Sequence, residues 1–596
     1  MKGLLVYIKD YKKECFLGPL FKLLEACFDL TVPLVMAKII DDGIVKNDSH
    51  YILSYGGILL LLALVGLTSS ITAQYFAAKA AVGFATNLRH GLFKHIESLS
   101  FTEMDTVGIS TLITRMTSDI NQLQSGVNMA LRLFLRSPFI VFGAAIMAFT
   151  VDVKAAIVFV VVIPLLAFVV LGIMAISMPL YRKVQAGLDN ILGRTRQNLT
   201  GVRVIRAFGK EDTEKEVFDK ENNYLTYLQL FVGKISALTN PVTYILLNVA
   251  LVVLLYVGAI RVNVGSLTQG MVIALVNYMS QILVELIKLA NTIVLSTKAV
   301  ACAKRVQAVF DMQPSIKNDE NEFESDDSDI SKDTHKDKKE SGAEVRFENV
   351  DLTYKNAGDK SLENISFVAE KGSTIGIIGG TGSGKSSLVN LIPRFYDATG
   401  GTVRIYGKDA KEYKIEDLRS HIGVVPQKAV LFQGTIAQNL RWGKETASDA
   451  ELEKAIEISQ AKEFVDEKED RLDYQIEQSG KNLSGGQRQR LTIARALVRN
   501  PEILILDDSA SALDFATDAK LRKAIRQMDS HPVVFIVSQR ASSIQYADQI
   551  LVLDDGELVG IGTHAELMNN CEIYREIYES QFETEKKGVM EHGTDR

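Results

Sequence analysis

The stretch TIGIIGGTGSGKS, residues 374–386, decides the fold of the second half of this chain. Residues 374–378 are mostly apolar and predict a buried strand, and SSLVNLIPRFY, residues 386–396, predicts a helix. The glycines between them predict a tight turn. A glycine-rich turn that joins a strand to a helix and ends in Lys-Ser is typical of an α/β domain that binds phosphate groups.

The turn fits the pattern GxxxxGK[ST], and each residue type has a chemical reason. Glycines let backbone N–H groups face the β- and γ-phosphates, and the helix N-terminus adds a favourable dipole. Lys385 is expected to bind phosphate oxygens, and the Ser386 hydroxyl to ligate Mg²⁺. The predicted phosphate-binding residues are Gly379, Gly380, Thr381, Gly382, Ser383, Gly384, Lys385, Ser386 and Ser387.

A second strand pattern fits the first. Residues 503–507, ILILD, form an apolar run that ends in a carboxylate. Because buried parallel strands end at the ligand edge of such sheets, Asp507 is expected to hold the Mg²⁺ shell. Strand and helix patterns alternate from about Val345 onward, which predicts an α/β domain.

The first half of the chain contains apolar runs that are long enough to cross a membrane. The chain has 596 residues with 66 Lys+Arg against 72 Asp+Glu, a near balance that gives no sign of nucleic-acid binding. Nearly all long apolar runs precede residue 301, and a bilayer core needs about 20 apolar residues in a helix. The predicted spans are 16–40, 52–80, 127–150, 153–177, 239–260 and 268–297; Glu25 and Asp29 weaken the first.

Basic residues predict the orientation of these spans. The long segments after the second and fourth spans are rich in Lys and Arg, whereas the short connections hold only Lys46 and Arg261. The long segments and both termini are therefore expected in the cytoplasm. The N-terminus lacks the layout of a cleaved signal, so no cleavage is expected.

Residues 315–342 are dense in charge and hold a single Phe, which predicts a flexible linker. A plain spacer and a regulatory segment both fit this composition. The predicted domains are 1–312, transmembrane; 313–343, linker; 344–583, nucleotide-binding; and 584–596, C-terminal tail. The four cysteines are scattered without metal-ligand spacing and predict unpaired thiols.

Leu483-Ser484-Gly485-Gly486-Gln487 lies between the phosphate loop and Asp507. In this motif the chain resembles the ATP-binding cassette (ABC) transporters. The order of motifs is similar as well: Tyr354, the phosphate loop, Gln427, Leu483–Gln487, Asp507, then Ser511-Ala512-Leu513-Asp514. Six spans followed by one cassette resemble an exporter half-transporter, and the similarity is greatest to one subunit of bacterial heterodimeric multidrug exporters.

This resemblance implies a six-helix transmembrane domain joined to an α/β P-loop ATP-binding cassette. It implies an ATPase-coupled transporter with ATP and Mg²⁺ as cofactors, in a bacterial plasma (inner) membrane. The implied partners are a second half-transporter chain, the lipid bilayer and a small amphipathic substrate.

The resemblance also implies roles for individual residues. Tyr354 would stack on adenine, although a strand Tyr also fits a core position. Gln427 would reach Mg²⁺ and the attacking water, and Phe432 would receive a helix of the membrane domain. Leu483, Ser484, Gly485, Gly486 and Gln487 would bind the nucleotide held by the opposite cassette, and Asp514 is implied as a further nucleotide-site residue.

Two positions depart from the family pattern. Asp508 stands where the family has its general-base Glu, and Gln539 stands where it has a His. Asp is one methylene shorter than Glu, and Gln cannot carry a proton at neutral pH. We expect a slow site on this chain and a competent site, completed by Leu483–Gln487, on a different partner. An active site that tolerates both variants remains the alternative.

The sequence leaves the substrate open. Drugs or other amphipathic molecules are expected, with a lipid or peptide exporter or an ATP-binding regulatory subunit as alternatives. Intramembrane ionisable residues are functional candidates. Glu285 could contact substrate or pair with Lys288, and Asp41 and Asp42 could form an outer gate or be solvated loop residues.

Overall fold

A computed structural model of the chain describes residues 3–316, 344–355, 357–509 and 512–591. The chain divides into two compact units, Met1–Ser98 with Ile109–Gln313 and Leu99–Gly108 with Pro314–Arg596. The predicted linker lies outside the described residues from 317 to 343, as does Ser511. The short segment 99–108, expected in the first domain, groups with the second unit.

The first unit is helical. Its helices are α1 Lys12–Lys38, α2 Ser49–Glu97, α4 Ile109–Thr114, α5 Ile120–Met129, α6 Arg136–Val151, α7 Val153–Thr200, α8 Val202–Ala207, α9 Glu211–Ala237, α10 Thr239–Asn263 and α11 Gln269–Phe310; α3, Phe101–Val107, belongs to the second unit. Tighter or wider helical turns cover Leu4–Tyr11, Ile39–Ile44, Arg115–Asp119 and Ala130–Phe134. Helices α2 and α7 continue well beyond the predicted spans, to Glu97 and Thr200.

Polar side chains cap the long helices where the sequence turns between spans. Asp48 accepts the N–H groups of His50 and Tyr51 at the start of α2. Asp152 accepts the N–H of Ala155 at 2.8 Å at the start of α7. Such caps satisfy backbone donors that have no partner within the helix, so they fix where each helix begins.

Among the described residues, five helices are long and apolar enough to cross a membrane. They lie in Ser49–Glu97, Ile109–Val151, Val153–Thr200, Glu211–Asn263 and Gln269–Phe310. The remaining predicted span falls on α1, which is 27 residues long but carries Lys22, Glu25 and Asp29. The prediction of a multi-helix transmembrane domain is confirmed, and the span on α1 stays a prediction.

The second unit is built on a six-stranded sheet of order β12-β11-β3-β10-β9-β6. All neighbours pair in parallel except β12, which is antiparallel to β11. An antiparallel sheet, β2-β1-β4-β5, and a short pair, β7-β8, complete the strands of the described part. The strands are β1 Val345–Leu352, β2 Leu362–Ala369, β3 Thr374–Gly379, β4 Gly400–Ile405, β5 Lys408–Asp409, β6 Ile422–Val425, β7 Gly434–Thr435, β8 Gln475–Ile476, β9 Ile503–Asp507, β10 Val533–Val537, β11 Gln549–Asp554 and β12 Glu557–Gly562.

Helices cover the sheet, so its inner strands are buried on both faces, as parallel strands require. The helices of the second unit, besides α3, are α12 Lys385–Leu391, α13 Ile415–Ser420, α14 Ile436–Arg441, α15 Asp449–Ile458, α16 Lys462–Asp466, α17 Gly485–Leu497, α18 Phe515–Arg526, α19 Ala541–Ile544, α20 His564–Asn570 and α21 Glu572–Glu591. Every residue of β3, β9 and β10 is buried. Helix α21 continues past residue 583 to Glu591, into the segment expected as a tail.

We predict that Ile505→Ala in β9 lowers the stability of the second unit by about 2–5 kcal/mol, because it removes a fully packed side chain from the sheet. Ile505 is 1% exposed. Thermal unfolding of the purified chain, followed by intrinsic fluorescence, measures this. The matched control, Ile561→Ala in the edge strand β12, replaces a half-exposed Ile of the same sheet, and an equal shift for both variants would contradict the prediction.

Candidate nucleotide site

The phosphate loop follows β3 and leads directly into α12, as the sequence predicts. Close packing explains two of its glycines. A Cβ on Gly379 would lie 2.0 Å from the carbonyl oxygen of Leu553, and one on Gly384 would lie 2.6 Å from that of Ser361. Gly384 also has φ 91°, in the region that favours glycine. Any other residue at either position would displace the loop backbone.

Lys385 is held inside the loop. Its ammonium group donates to the carbonyl of Gly379 at 3.0 Å and also to the carbonyl of Gly380 and the hydroxyl of Ser383. Burial lowers the pKa of the Lys385 ammonium, and the charges of Asp507 and Asp508 partly oppose this effect. The loop therefore presents a positive charge at a fixed position.

Ser386 and Asp507 are adjacent although 121 residues separate them in the chain. The Ser386 hydroxyl donates to Asp507 Oδ1 at 3.0 Å. Burial raises the pKa of the Asp507 carboxyl, while the hydrogen bond from Ser386 lowers it in part. A hydroxyl and a carboxylate side by side are hard oxygen donors of the kind that Mg²⁺ prefers. This donor set fits the predicted magnesium position.

Tyr354 lies beside the helix that follows the loop. Its hydroxyl donates to Ser387 Oγ at 3.0 Å, and its ring meets that of Tyr396 edge to face, with centroids 5.0 Å apart. Burial raises the pKa of the Tyr354 hydroxyl above its ordinary value. Both predicted residues, Tyr354 and Ser387, thus border the same cavity as the loop.

One cavity of about 590 Å³ brings most of the predicted site together. Predicted residues that line it are Tyr354, Thr381, Gly382, Gly384, Lys385, Ser386, Ser387, Gln427, Asp507, Asp508 and Gln539. Lys360 and Asp555 also line it and were not predicted. Gln427 Nε2 lies 3.5 Å from Asp508 Oδ2. The cavity therefore joins the phosphate loop to both positions that depart from the family pattern.

Leu483–Gln487 does not line this cavity. Ser484 caps α17: its Oγ accepts the N–H of Gln487 at 3.3 Å, and Gln487 Oε1 accepts the N–H of Ser484 at 3.0 Å. Ser484 and Gly485 are exposed, and a Cβ built on Gly485 would meet no atom within 4 Å from the described residues outside its chain neighbours and its own helix. The signature is an open helix N-terminus on another part of the surface of the same unit.

Asp514 also lies outside the cavity. Its carboxylate caps α18, accepting the N–H and the hydroxyl of Thr517, each at 2.8 Å. The N–H of Thr517 lowers the pKa of the Asp514 carboxyl. In this single chain Asp514 is a capping residue.

Comparison with known proteins identifies the family. Residues 15–286 match the family model of the ABC transporter transmembrane region, and residues 362–511 match the ABC transporter family model. An ABC transporter ATP-binding protein of Bacillus subtilis (strain 168), YfiB, is 36% identical over 98% of this chain and 99% of its own length. The chain belongs to the ABC transporter family.

Other relatives cover the whole chain as well. The ABC transporter ATP-binding protein MT1311 of Mycobacterium tuberculosis (strain CDC 1551 / Oshkosh) is 36% identical over 96% of this chain and 97% of that protein. An ATP-dependent lipid A-core flippase of Aliivibrio fischeri is 29% identical over 98% and 97%. A bacterial Atm1-family ABC exporter, solved with ATP bound, has the same fold, with TM-score 0.76, 22% identity and coverage of 96% and 98%. The chain is an ATPase-coupled ABC exporter with the predicted fold class.

Helix α3, in the short segment that groups with the cassette, makes aromatic contacts there. The Phe101 ring lies 4.8 Å from that of Phe395, and the Tyr396 hydroxyl donates to Asp105 Oδ2 at 2.5 Å. Phe101 and Phe432 line one cavity of about 580 Å³. Whether Phe432 receives a helix of the membrane domain stays a prediction.

Charged residues of the exporter's first unit are engaged within the chain. Asp41 accepts the Thr268 hydroxyl and, at 2.8 Å, the N–H of Gly270, so it joins the end of one long helix to the start of another. Asp42 pairs with Lys46 at 2.6 Å. A role for either carboxylate in gating stays a prediction.

Sequence analysis did not identify Gln581, which lies on the C-terminal helix α21. Its Nε2 donates to the carbonyl of Gln539 at 2.8 Å, and its Oε1 accepts the N–H of Ala541 at 2.9 Å. Gln581 therefore holds the backbone on both sides of Arg540. Helical spacing offered one signal, because Tyr574, Tyr578 and Gln581 follow at i, i+4 and i+7 and so share a face.

The contacts of Tyr574 explain why α21 lies where Gln581 can reach this backbone. Tyr574 is fully buried, and its hydroxyl lies 2.8 Å from His564 Nδ1. The rings of Tyr574 and Tyr578 stack with centroids 6.5 Å apart. The buried Tyr574, two turns earlier, and the half-buried Tyr578, one turn earlier, fix the direction of the Gln581 side chain.

We predict that Gln581→Leu, which keeps the size of the side chain and removes its hydrogen bonds, accelerates amide exchange at Ala541 about tenfold. Hydrogen–deuterium exchange of the full-length protein measures this. Glu579→Leu is the matched control, because Glu579 is exposed on the same helix. Unchanged exchange at Ala541 in the Gln581 variant would show that the bond does not hold this segment.

Proposed function

We propose that this chain is one subunit of a heterodimeric ABC exporter with two unequal ATP sites. Its own cavity would retain ATP and hydrolyse it slowly or not at all. Its signature would complete the competent site on a partner that carries Glu and His where this chain has Asp508 and Gln539. The observation that carries the proposal is that the backbone at both departing positions is held by hydrogen bonds.

The backbone of Asp508 is tied to the central strand of the sheet. Its N–H donates to the carbonyl of Val537 at 3.0 Å, and the preceding residue pairs with Val537 in the β9–β10 ladder. The missing methylene shortens the side chain by about 1.5 Å. The backbone has little freedom to move toward the nucleotide and make up this distance. General-base catalysis requires hydrogen-bond reach to the attacking water, so the shorter side chain supports slow hydrolysis.

The backbone of Gln539 is held in a comparable way. Its carbonyl accepts from Gln581, while the residue itself lines the nucleotide cavity. A Gln side chain can donate a hydrogen bond to a γ-phosphate, but it offers no positive charge or transferable proton. The substitution preserves contact and removes charge, which favours binding of ATP over its hydrolysis.

The remaining cavity residues supply what nucleotide retention needs. Lys385 and the loop N–H groups would bind the phosphates, and Tyr354 would pack against the base. Ser386 and Asp507, with Gln427, would hold Mg²⁺, which supplies charge neutralisation at the β- and γ-oxygens when it is bound. These assignments rest on the residues that line the cavity.

The position of the signature supports assembly with a second cassette. Ser484 lies outside the cavity of its own chain, at an exposed helix N-terminus that favours anions. A second half-transporter would bring its own signature to this cavity and receive this one in return. ATP would then close the two cassettes and switch the membrane helices between inward-facing and outward-facing states.

We further propose export of amphipathic molecules across a bacterial plasma membrane, with both termini in the cytoplasm. Lys and Arg in the long segments between spans support this orientation. The division into residues 1–312, 313–343, 344–583 and 584–596 belongs to the same proposal. A lipid is a second candidate substrate, because a lipid A-core flippase is among the relatives that match almost the whole chain.

We predict that the chain purified alone in lipid nanodiscs binds ATP with little turnover, and that Asp508→Glu with Gln539→His raises turnover about a hundredfold. Asp508→Glu restores the length of the carboxylate side chain, and Gln539→His restores a titratable side chain. Both signatures of a homodimer stay intact. ATP binding and phosphate release on the same sample measure both properties.

Lys385→Ala in the double variant is the control, because it should abolish the gained turnover by removing the phosphate contact. Brisk turnover by the unmodified chain, equal to that of the double variant, would reject the slow-site proposal and make the chain a homodimeric exporter.

We predict that Ser484→Arg abolishes turnover by the complex with its partner and leaves ATP binding to this chain's own cavity unchanged. The bulky cation would block the helix N-terminus that faces the partner's nucleotide. Labelling with a photoreactive ATP analogue, resolved by subunit, separates the two effects. Lys481→Ser, at an exposed position two residues before the signature, tests whether any change near the signature suffices. Normal turnover with Ser484→Arg would show that this signature serves no competent site.

A further inference from the structure

Four ionised side chains form a series of alternating charge inside the first unit. Asp29 lies 2.8 Å from Arg136, Arg136 lies 2.6 Å from Glu285, and Glu285 lies 2.9 Å from Lys288. The Ser137 hydroxyl also donates to Glu285 at 2.8 Å. The series links helices α1, α6 and α11, and we call it the charge series.

The inner and outer members of the charge series differ in burial. The side chains of Arg136 and Glu285 are 9% and 5% exposed, whereas those of Asp29 and Lys288 are 43% and 44% exposed. Each inner member has two oppositely charged partners in the series, and each outer member has one. The two ends therefore have the capacity to bind one further charge each, a cation at Asp29 and an anion at Lys288.

Both ends open into the same cavity. It has a volume of about 440 Å³ and is lined by all four members of the charge series and by Gln281. Gln281 Nε2 donates to the backbone carbonyl of Asp29 at 3.4 Å, and its Oε1 is buried with no hydrogen-bond partner among the described residues. This oxygen is a further acceptor on the Asp29 side of the cavity.

The balance of charge selects the kind of ligand. The two acidic and two basic groups of the series sum to zero, as do the neighbouring Glu25 and Lys22, which pair with each other beside Arg136. A ligand with one charge therefore gains one contact and meets repulsion at the other end. Burial of the inner pair keeps both ends in place, since removing either partner would leave an unpaired charge in a poorly solvated site. A zwitterion satisfies both ends at once.

A second cavity adjoins the first and is mostly apolar. Its volume is about 520 Å³; Leu59, Leu62 and Leu67 of α2 line it, and it shares Asp29 and Val32 with the cavity of the charge series. A head group in the first cavity and a hydrocarbon chain in the second would meet at Asp29. The pair of cavities fits an amphiphile better than a compact polar solute.

We propose that the charge series and these two cavities form a binding site for a zwitterionic amphiphile, with its cationic group at Asp29 and its anionic group at Lys288. The inference names the substrate class for the proposed exporter and rests on that function only for the step of transport. It differs from the sequence-based hypothesis that Glu285 itself contacts substrate, because Arg136, Lys288 and Ser137 already engage that carboxylate.

The test measures the affinity of the detergent-solubilised full-length chain for three single-chain probes of equal chain length. They are lysophosphatidylethanolamine, which is zwitterionic, lysophosphatidylglycerol, which is anionic, and an alkyltrimethylammonium cation. We expect the zwitterion to bind about tenfold more tightly than either singly charged probe. Equal affinity for the three probes overturns the proposal, whatever any variant does.

Two variants locate the site. Asp29→Asn should lower affinity for the zwitterion to that for the anion, and Lys288→Gln should lower it to that for the cation. Asp219→Asn and Lys220→Gln are the matched controls, since both residues are exposed on α9 and line neither cavity. An unchanged preference in both Asp29 and Lys288 variants overturns the assignment.

A fourth probe, glycerophosphoethanolamine, carries the head group without the chain. We expect it to bind at least tenfold more weakly than the lysolipid, because it leaves the apolar cavity unfilled. Equal affinity would reject an amphiphile in favour of a water-soluble zwitterion. None of these assays needs ATP hydrolysis, so their failure is distinguishable from failure of the proposed division between ATP sites.

Discussion

The chemistry of the cassette depends on the register of β10 between β3 and β9. Val537 pairs with Ile377 on one side and with Asp507 on the other. Its carbonyl also accepts the N–H of Asp508, while the N–H of Ser538 donates to Ile377. One central residue thus fixes the strand that leads into the phosphate loop, the carboxylate beside Ser386 and the backbone of Asp508.

Because the backbone is fixed in this way, the length and chemistry of the side chain determine which atoms it can reach. A flexible loop could adapt to an Asp in place of a Glu, but a backbone tied to a buried parallel ladder has little freedom to do so. The same holds at Gln539, where Gln581 bonds to the backbone. The proposed slow site rests on this constraint, because the sheet and α21 hold the backbone at both positions that depart from the family pattern. Rigid support of this kind is what catalytic geometry generally requires.

The sequence predicted the parts of the site that depend on local patterns. A glycine turn between a strand and a helix is encoded within a dozen residues, so Lys385 and Ser386 were predictable. The contact of Ser386 with Asp507 followed from the rule that parallel strands end at one edge. Gln581 was not predictable, because its partners lie 40 and 42 residues away and an amide side chain carries no motif.

In the membrane half, too, contacts between residues that are far apart in the sequence could not be predicted. Local spacing offered the pairing of Glu285 with Lys288 at i, i+3 as one of two alternatives, and the structure contains this pair. It did not predict that Arg136, which is 149 residues from Glu285 and on another helix, also pairs with this carboxylate. When Arg136 is not considered, Glu285 is a candidate for contact with substrate. With Arg136 in place, the Glu285 carboxylate is fully engaged.

The charge series also bears on how ligand binding would be coupled to movement of the membrane helices. Charged groups in a bilayer are costly unless they are paired, so helices α1, α6 and α11 are held together by groups that cannot separate without new partners. A ligand that offers both a cation and an anion can supply partners to the outer members, whereas a singly charged ligand compensates only one end. Selectivity for a zwitterion and coupling to helix movement would then arise from the same four side chains, because the contacts that recognise the ligand are those that join the helices.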